Sequence, residues 1–94
     1  MTIRIDMESE GAVVTLYVAG VLAGAAIKQL ADVCKPIKGH IVLDLSKLKL
    51  ADDAGVKFLQ SLREERAEIR GASAFINYLI SNGSEDKHVE FRNH

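Results

Sequence analysis

Two adjacent acids, Asp52 and Asp53, stand directly ahead of a stretch whose apolar residues recur with helical spacing. The first N–H groups of a helix lack partners inside it and carry a partial positive charge, so an acid placed there caps them and is itself stabilised. Asp52 is the expected N-cap, with Asp53, Ala54 and Gly55 as the first turn, and capping and dipole together contribute about 1–2 kcal/mol. The same pair supports other chemistry. An exposed acid on a fixed helix start is a mark that a partner protein can read. Two neighbouring carboxylates can also share acid and base work, which needs in addition a cleft and a third group that the sequence does not offer. An acid pair with a strand-ending Asp44 suggests a Mg²⁺-assisted phosphoacceptor, but that arrangement belongs to a fully alternating β/α chain. A chain of 94 residues that opens with a strand pair is too short for it.

The remaining reactive residue types are scattered. His40, His88 and His94 lack the i, i+4 spacing of helical metal ligands, and no metal or other cofactor is expected. Cys34 is the one cysteine, which excludes an internal disulfide, and it falls on an apolar stripe where a small core residue fits. Gly20-x-x-x-Gly24 lacks the Gly-Lys-Ser/Thr ending of a phosphate loop. Asp44 sits among Ile41, Val42, Leu43 and Leu45, so its carboxylate must lie near the strand end or accept backbone hydrogen bonds. Lys47, Lys49 and Lys57 give the surroundings of the acids a mildly basic cast, which reads first as a solvated face and second as an aid in steering an acidic partner.

The elements that must position these residues follow from periodicity. Thr2 to Met7 alternates apolar and polar residues, Gly11 supplies a turn, and Ala12 to Ala19 is a second β-rich run, so the pair reads as a hairpin. Ala26, Ile27, Leu30, Val33, Cys34 and Ile37 recur at helical spacing until Pro36 and Gly39 stop the helix. Ile41 to Leu45 is a short apolar run suited to a strand buried on both faces. After a polar link comes a helix from Asp53 to about Ile69, whose inner sector holds Gly55, Phe58, Leu59, Leu62, Arg66 and Ile69. Glycine costs about 1 kcal/mol relative to alanine in a helix, so Gly55 implies close packing against the sheet. Lys57 lies one turn from Asp53 and is placed to pair with it. Gly71 fits a helix C-cap, residues 72–77 read as a further strand, and Tyr78 to Asn82 could supply a last short helix. The tail from Ser84 is polar, with Val89 and Phe91 alternating as in an edge strand or a frayed end.

Leu43-Asp44-Leu45-Ser46, followed at the right spacing by Asp52-Asp53-Ala54-Gly55, resembles the STAS domain family of anti-sigma factor antagonists. The likeness extends more weakly from about Val13 to Ile76, and Gly20 and Leu22 match the Gly-x-Leu that opens the family's first helix. Ala23 departs from the Asp or Thr usual there, so that helix should lack its side-chain cap. The resemblance implies a small α/β fold, a mixed sheet of four or five strands with helices packed on it. It also implies a regulatory protein-binding module without catalytic residues, bound through Asp52, Asp53, Ala54, Gly55, Val56 and Lys57. The implied partner is an anti-sigma factor of the serine-kinase kind. Alternatively the chain is a constitutive subunit of a larger complex, on the ATPase of a phospholipid-transport system or in a stress-sensing assembly. The family's phosphoacceptor Ser or Thr falls on Asp53. Aspartate has no hydroxyl for a serine/threonine kinase, so the switch should be absent, and Asp53 carries about one negative charge where phosphoserine carries roughly 1.5–2.

Composition bounds the rest. Apolar residues make up 48% of the chain and charged ones 27%, which suits one folded domain over residues 1–94 rather than a disordered chain. Twelve basic and thirteen acidic residues leave a net charge of −1 with no basic stripe, which argues against a nucleic-acid partner. Arg4, Asp6, Glu8 and Glu10 break up any signal-like start, and no apolar run approaches the ~20 residues of a membrane span. The expectation is a cytoplasmic monomer or weak homodimer without membrane insertion.

Overall fold

The hairpin forms, and it is longer than the alternation alone implies. In the computed structural model, which describes residues 3–81, β1 spans Ile3–Glu10 and β2 spans Val13–Leu22. Gly11, at φ 63°, turns the chain between them, and the strands pair antiparallel from Ile3 opposite Gly20 to Glu10 opposite Val13. Helix α1 (Ala25–Cys34) then begins at Gly24 without a side-chain cap, as Ala23 leads one to expect. β3 (His40–Asp44) returns parallel to β2, with Val14 opposite Ile41 and Leu16 opposite Leu43.

Three segments depart from the periodicity reading. The supposed polar link contains β4 (Leu48–Ala51), which pairs in parallel with the end of β2 beyond a register shift at Gly20 and Val21. Leu48 and Ala51 face the core while Lys49 and Leu50 face solvent, a pattern too short to announce itself in sequence. Helix α2 (Asp53–Glu65) stops short of Ile69, and Ala67–Arg70 becomes β5, parallel to β3 with Ile41 opposite Ala67 and Leu43 opposite Ile69. Ala67 and Glu68 are good helix formers, so the strand exists because β3 offers an open ladder and a core face to Ala67 and Ile69. Gly71, at φ 72°, turns the chain after β5 and does not cap a helix. Residues 72–77 are not a strand. Ser73 accepts a hydrogen bond from the Ile76 N–H at 3.1 Å and starts α3, residues 74–81, whose Ile76 and Ile80 reach the core. His88, the possible edge strand at Val89 and Phe91, and His94 lie outside the described residues.

The sheet runs β1-β2-β3-β5, with β4 paired to β2 past the end of β3. One of its faces carries Leu16, Val18, Leu22, Ile41 and Leu43, which join Leu30 and Cys34 of α1, Val56, Leu59 and Leu62 of α2, and Ile76 and Ile80 of α3 in one apolar cluster. The alternation that turns those residues inward puts Arg4, Asp6, Tyr17, Asp44, Glu68 and Arg70 on the opposite face. Val42 is buried there too, at 2% exposure and outside the main cluster. Among the described residues no helix is long and apolar enough to cross a membrane.

Candidate functional site

The start of α2 is tied to the end of β2 from two sides. The Asp52 N–H donates to the Leu22 carbonyl at 3.2 Å, while the Asp52 carboxylate accepts from the Gly55 N–H at 2.7 Å. Asp52 is extended, at φ −80° and ψ −179°, and its carbonyl takes the first helical bond from the Val56 N–H at 2.8 Å. This is N-cap geometry. Gly55 is buried against β2, where any side-chain carbon would meet the Leu22 carbonyl oxygen. The absence of a side chain at residue 55 is therefore what lets α2 sit on the strand end, and that seat fixes the direction of the acids.

Asp53 is exposed in the first turn, as are Asp52, Ala54 and Lys57. The two remaining residues of the expected patch are placed otherwise. Gly55 is packed on Leu22, and Val56 is 5% exposed within the core, so neither offers a side chain to a partner. In their place β4 brings Lys49 and Leu50 to the surface, three and two residues ahead of Asp52, and Leu50 is 46% exposed. Nothing in the sequence singles out Leu50, because the four-residue strand that turns it outward is too short to show a periodicity. The ion pairs among the described residues lie elsewhere, and Lys57 does not join Asp53.

Two grooves on the described surface are lined by residues other than the acid pair. The larger, about 350 Å³, lies on the open sheet face among Arg4, Asp6, Tyr17, Ala19, Asp44 and Lys47. The smaller, about 240 Å³, lies between α1 and α2 beside Cys34 and Arg66. Asp44 ends β3 and is half-buried. Its carboxylate accepts from the Ser46 hydroxyl at 2.7 Å and the Ser46 N–H at 3.0 Å. Those two bonds, ahead of the charges of Arg70 and Lys47, hold the carboxyl below the usual aspartate range. Asp44 thus shapes the turn after its strand. Cys34 is buried at 6% exposure, and burial pushes its thiol up, away from the reactive thiolate. The Arg66 guanidinium donates to the carbonyls of Cys34 and Ile37, tying the end of α2 to the loop after α1. His40 Nε2 lies 3.6 Å from a Glu68 carboxylate oxygen, and no cluster of three metal-ligating side chains occurs among the described residues.

No family model matches the chain, and no curated protein matches it. Solved structures do. The anti-sigma factor antagonist SpoIIAA in its unphosphorylated form aligns over 97% of this chain and 100% of its own, with a TM-score of 0.65 and 15% identity. The fold is STAS-like. The crystal structure of Mglu also matches, with a TM-score of 0.65 and 20% identity over 73% of this chain. The STAS-like chain spans 20% of the length of Mglu.

The cap gives a direct expectation. Asp52→Ala removes the acceptor of the 2.7 Å bond and should destabilise the protein by about 1 kcal/mol, lowering the thermal midpoint by roughly 4–8 °C. Asp52→Asn, which keeps an acceptor oxygen, should recover most of the loss in the same calorimetric scan.

Proposed function

We propose that this chain is a non-enzymatic, cytoplasmic regulatory module that binds a protein partner in the manner of an anti-sigma factor antagonist. The surface it uses is Asp52, Asp53, Ala54 and Lys57 at the start of α2. The observation that carries this reading is the exposure of Asp53 on a helix start anchored to β2 through Asp52 and Gly55. A partner meets there a fixed negative charge in a fixed direction. The likeness to an antagonist whose structure is described as unphosphorylated supports the class of partner. On this reading Asp53 is a permanent, partial mimic of the phosphorylated form, and a partner that prefers the uncharged state is held weakly. A like charge brought against a desolvated acid costs several kcal/mol.

The test uses tagged wild type and Asp53→Ser as bait in lysate of the native host, followed by affinity measurement with the purified partner. Asp53→Ser should bind at least about tenfold tighter, a difference of roughly 1.4 kcal/mol, and should accept phosphate from ATP when a cognate kinase is present. A variant that binds no tighter and gains no phosphate removes the mimic. The lack of a hydroxyl for a serine/threonine kinase at residue 53 also favours a second reading, a constitutive subunit of a larger assembly such as a transporter ATPase complex. In that case Asp53→Ser leaves a stable co-purifying complex unchanged.

A further inference from the structure

β1 is eight residues long, and among the described residues it pairs with β2 alone. An edge strand presents unpaired N–H and C=O groups from every second residue and is a template for another strand unless something blocks it. The other edge of the main path, β5, has only four residues. Along β1 the core-side residues are Ile3 and Ile5, both half-buried, and Met7, 55% exposed. The open-face residues are Arg4, Asp6, Glu8 and Glu10, and Arg4 already lies 3.0 Å from Asp6 in the same strand, both side chains being largely exposed.

The geometry points to a second copy of this chain as the occupant of that edge, bound antiparallel about a two-fold axis at Ile5. Such an axis stands perpendicular to the sheet, so both copies keep their helices on the same side and the sheet continues through the contact. Ile5 then faces Ile5 of the other copy, Ile3 faces Met7, and Arg4 faces Asp6, the last two pairs occurring twice. Directly opposed side chains lie close enough to interact, and each opposite-charge or apolar pair contributes about 0.2–1 kcal/mol.

Charge selects this register. Moving the axis to Arg4 sets Arg4 against Arg4, and moving it to Asp6 pairs Arg4 with Glu8 twice but sets Asp6 against Asp6, which the axis at Ile5 avoids. Moving it to Met7 offsets two Arg4–Glu10 pairs with two Asp6–Glu8 repulsions, and moving it to Glu8 sets Glu8 against itself and Asp6 against Glu10 twice. A parallel in-register contact opposes every like pair. Glu8 and Glu10 thus act against the wrong alignments, while the only basic residue of the strand lies where Asp6 of the other copy can meet it. The edge is short and buries well under ~1,000 Å², so the association is weak and reversible. Its opposed pairs, at residues 3–7, do not include the start of α2, and it does not depend on the function proposed above.

Sedimentation equilibrium of the full chain at low salt, over a concentration series up to about 1 mM, tests the proposal. Wild type should show a monomer–dimer equilibrium that weakens as salt is raised. Arg4→Asp and Asp6→Arg, changes at exposed side chains, should each raise the dissociation constant at least tenfold. The double variant Arg4→Asp/Asp6→Arg should return it to within about threefold of wild type, because it exchanges the charges in both pairs. That rescue belongs to the Ile5 register, since an axis at Asp6 would set two arginines face to face in the double variant. A wild type that stays monomeric throughout, single variants that dimerise as well as wild type, or a double variant that is not rescued would each overturn it.

Discussion

Gly55→Ala is expected to destabilise the protein by about 2–3 kcal/mol, opposite in sign to the gain of about 1 kcal/mol that the same change brings in an exposed helix. The backbone at Gly55 is ordinary helix, so conformational strain is not the cause. The cause is space: an added Cβ would collide with the Leu22 carbonyl oxygen and would also lie 3.2 Å from the Leu22 side chain and 3.3 Å from the Asp52 carboxylate. The obstacle is backbone, which cannot rotate aside as a side-chain tip can. Relief requires α2 to lift from β2, and lifting strains the bond from the Asp52 N–H to Leu22. Chemical denaturation followed by far-ultraviolet circular dichroism measures the change, expected as a fall in midpoint without a fall in slope. A Gly55→Ala protein as stable as wild type would mean that the helix start is not seated on the strand, and Asp53 would lose its fixed direction.

Leu59→Ala should be costlier still, at about 3–4 kcal/mol. Leu59 lies one turn after Gly55 on the same face and is 0% exposed within the central cluster. Leucine and alanine are both good helix formers, so propensity offsets little of the loss. What remains is the transfer energy of the missing carbons and the cavity they leave among neighbours already held by the sheet. A domain of this size has roughly 5–10 kcal/mol of total stability, so the variant should lose about a third to four-fifths of it at 25 °C and melt lower by more than ~12 °C. Partner binding should fall with the folded fraction, and recover on cooling toward the temperature of greatest stability. Full recovery of binding with the fold still lost would separate recognition from the seat of α2.

Much of this was legible in local sequence. Ile3 and Ile5 alternate with Arg4 and Asp6, and a strand followed. Asp52 precedes an amphipathic run at the one position where its oxygen can reach the N–H three residues on, and it caps α2. Neither Ala23 nor the N-cap Gly24 has a side-chain oxygen to offer, and α1 starts uncapped. The run Ala74-Phe75-Ile76 looks like a strand, yet a helix forms there, with Ser73 accepting from the Ile76 N–H.

Local chemistry thus announced the hairpin, the capped helix start, the apolar run of β3 and the acid that occupies residue 53, because the pattern of each is written in residues a few positions apart along the chain. Tertiary structure alone decided that Ala67–Arg70 would leave the helix, that Leu48–Ala51 would form a strand, and that Val56 would turn inward while Leu50 turned out. Those choices rest on ladders supplied by β3 and β2, dozens of residues away, where backbone pairing and core burial outweigh a propensity difference of a few tenths of a kcal/mol per residue.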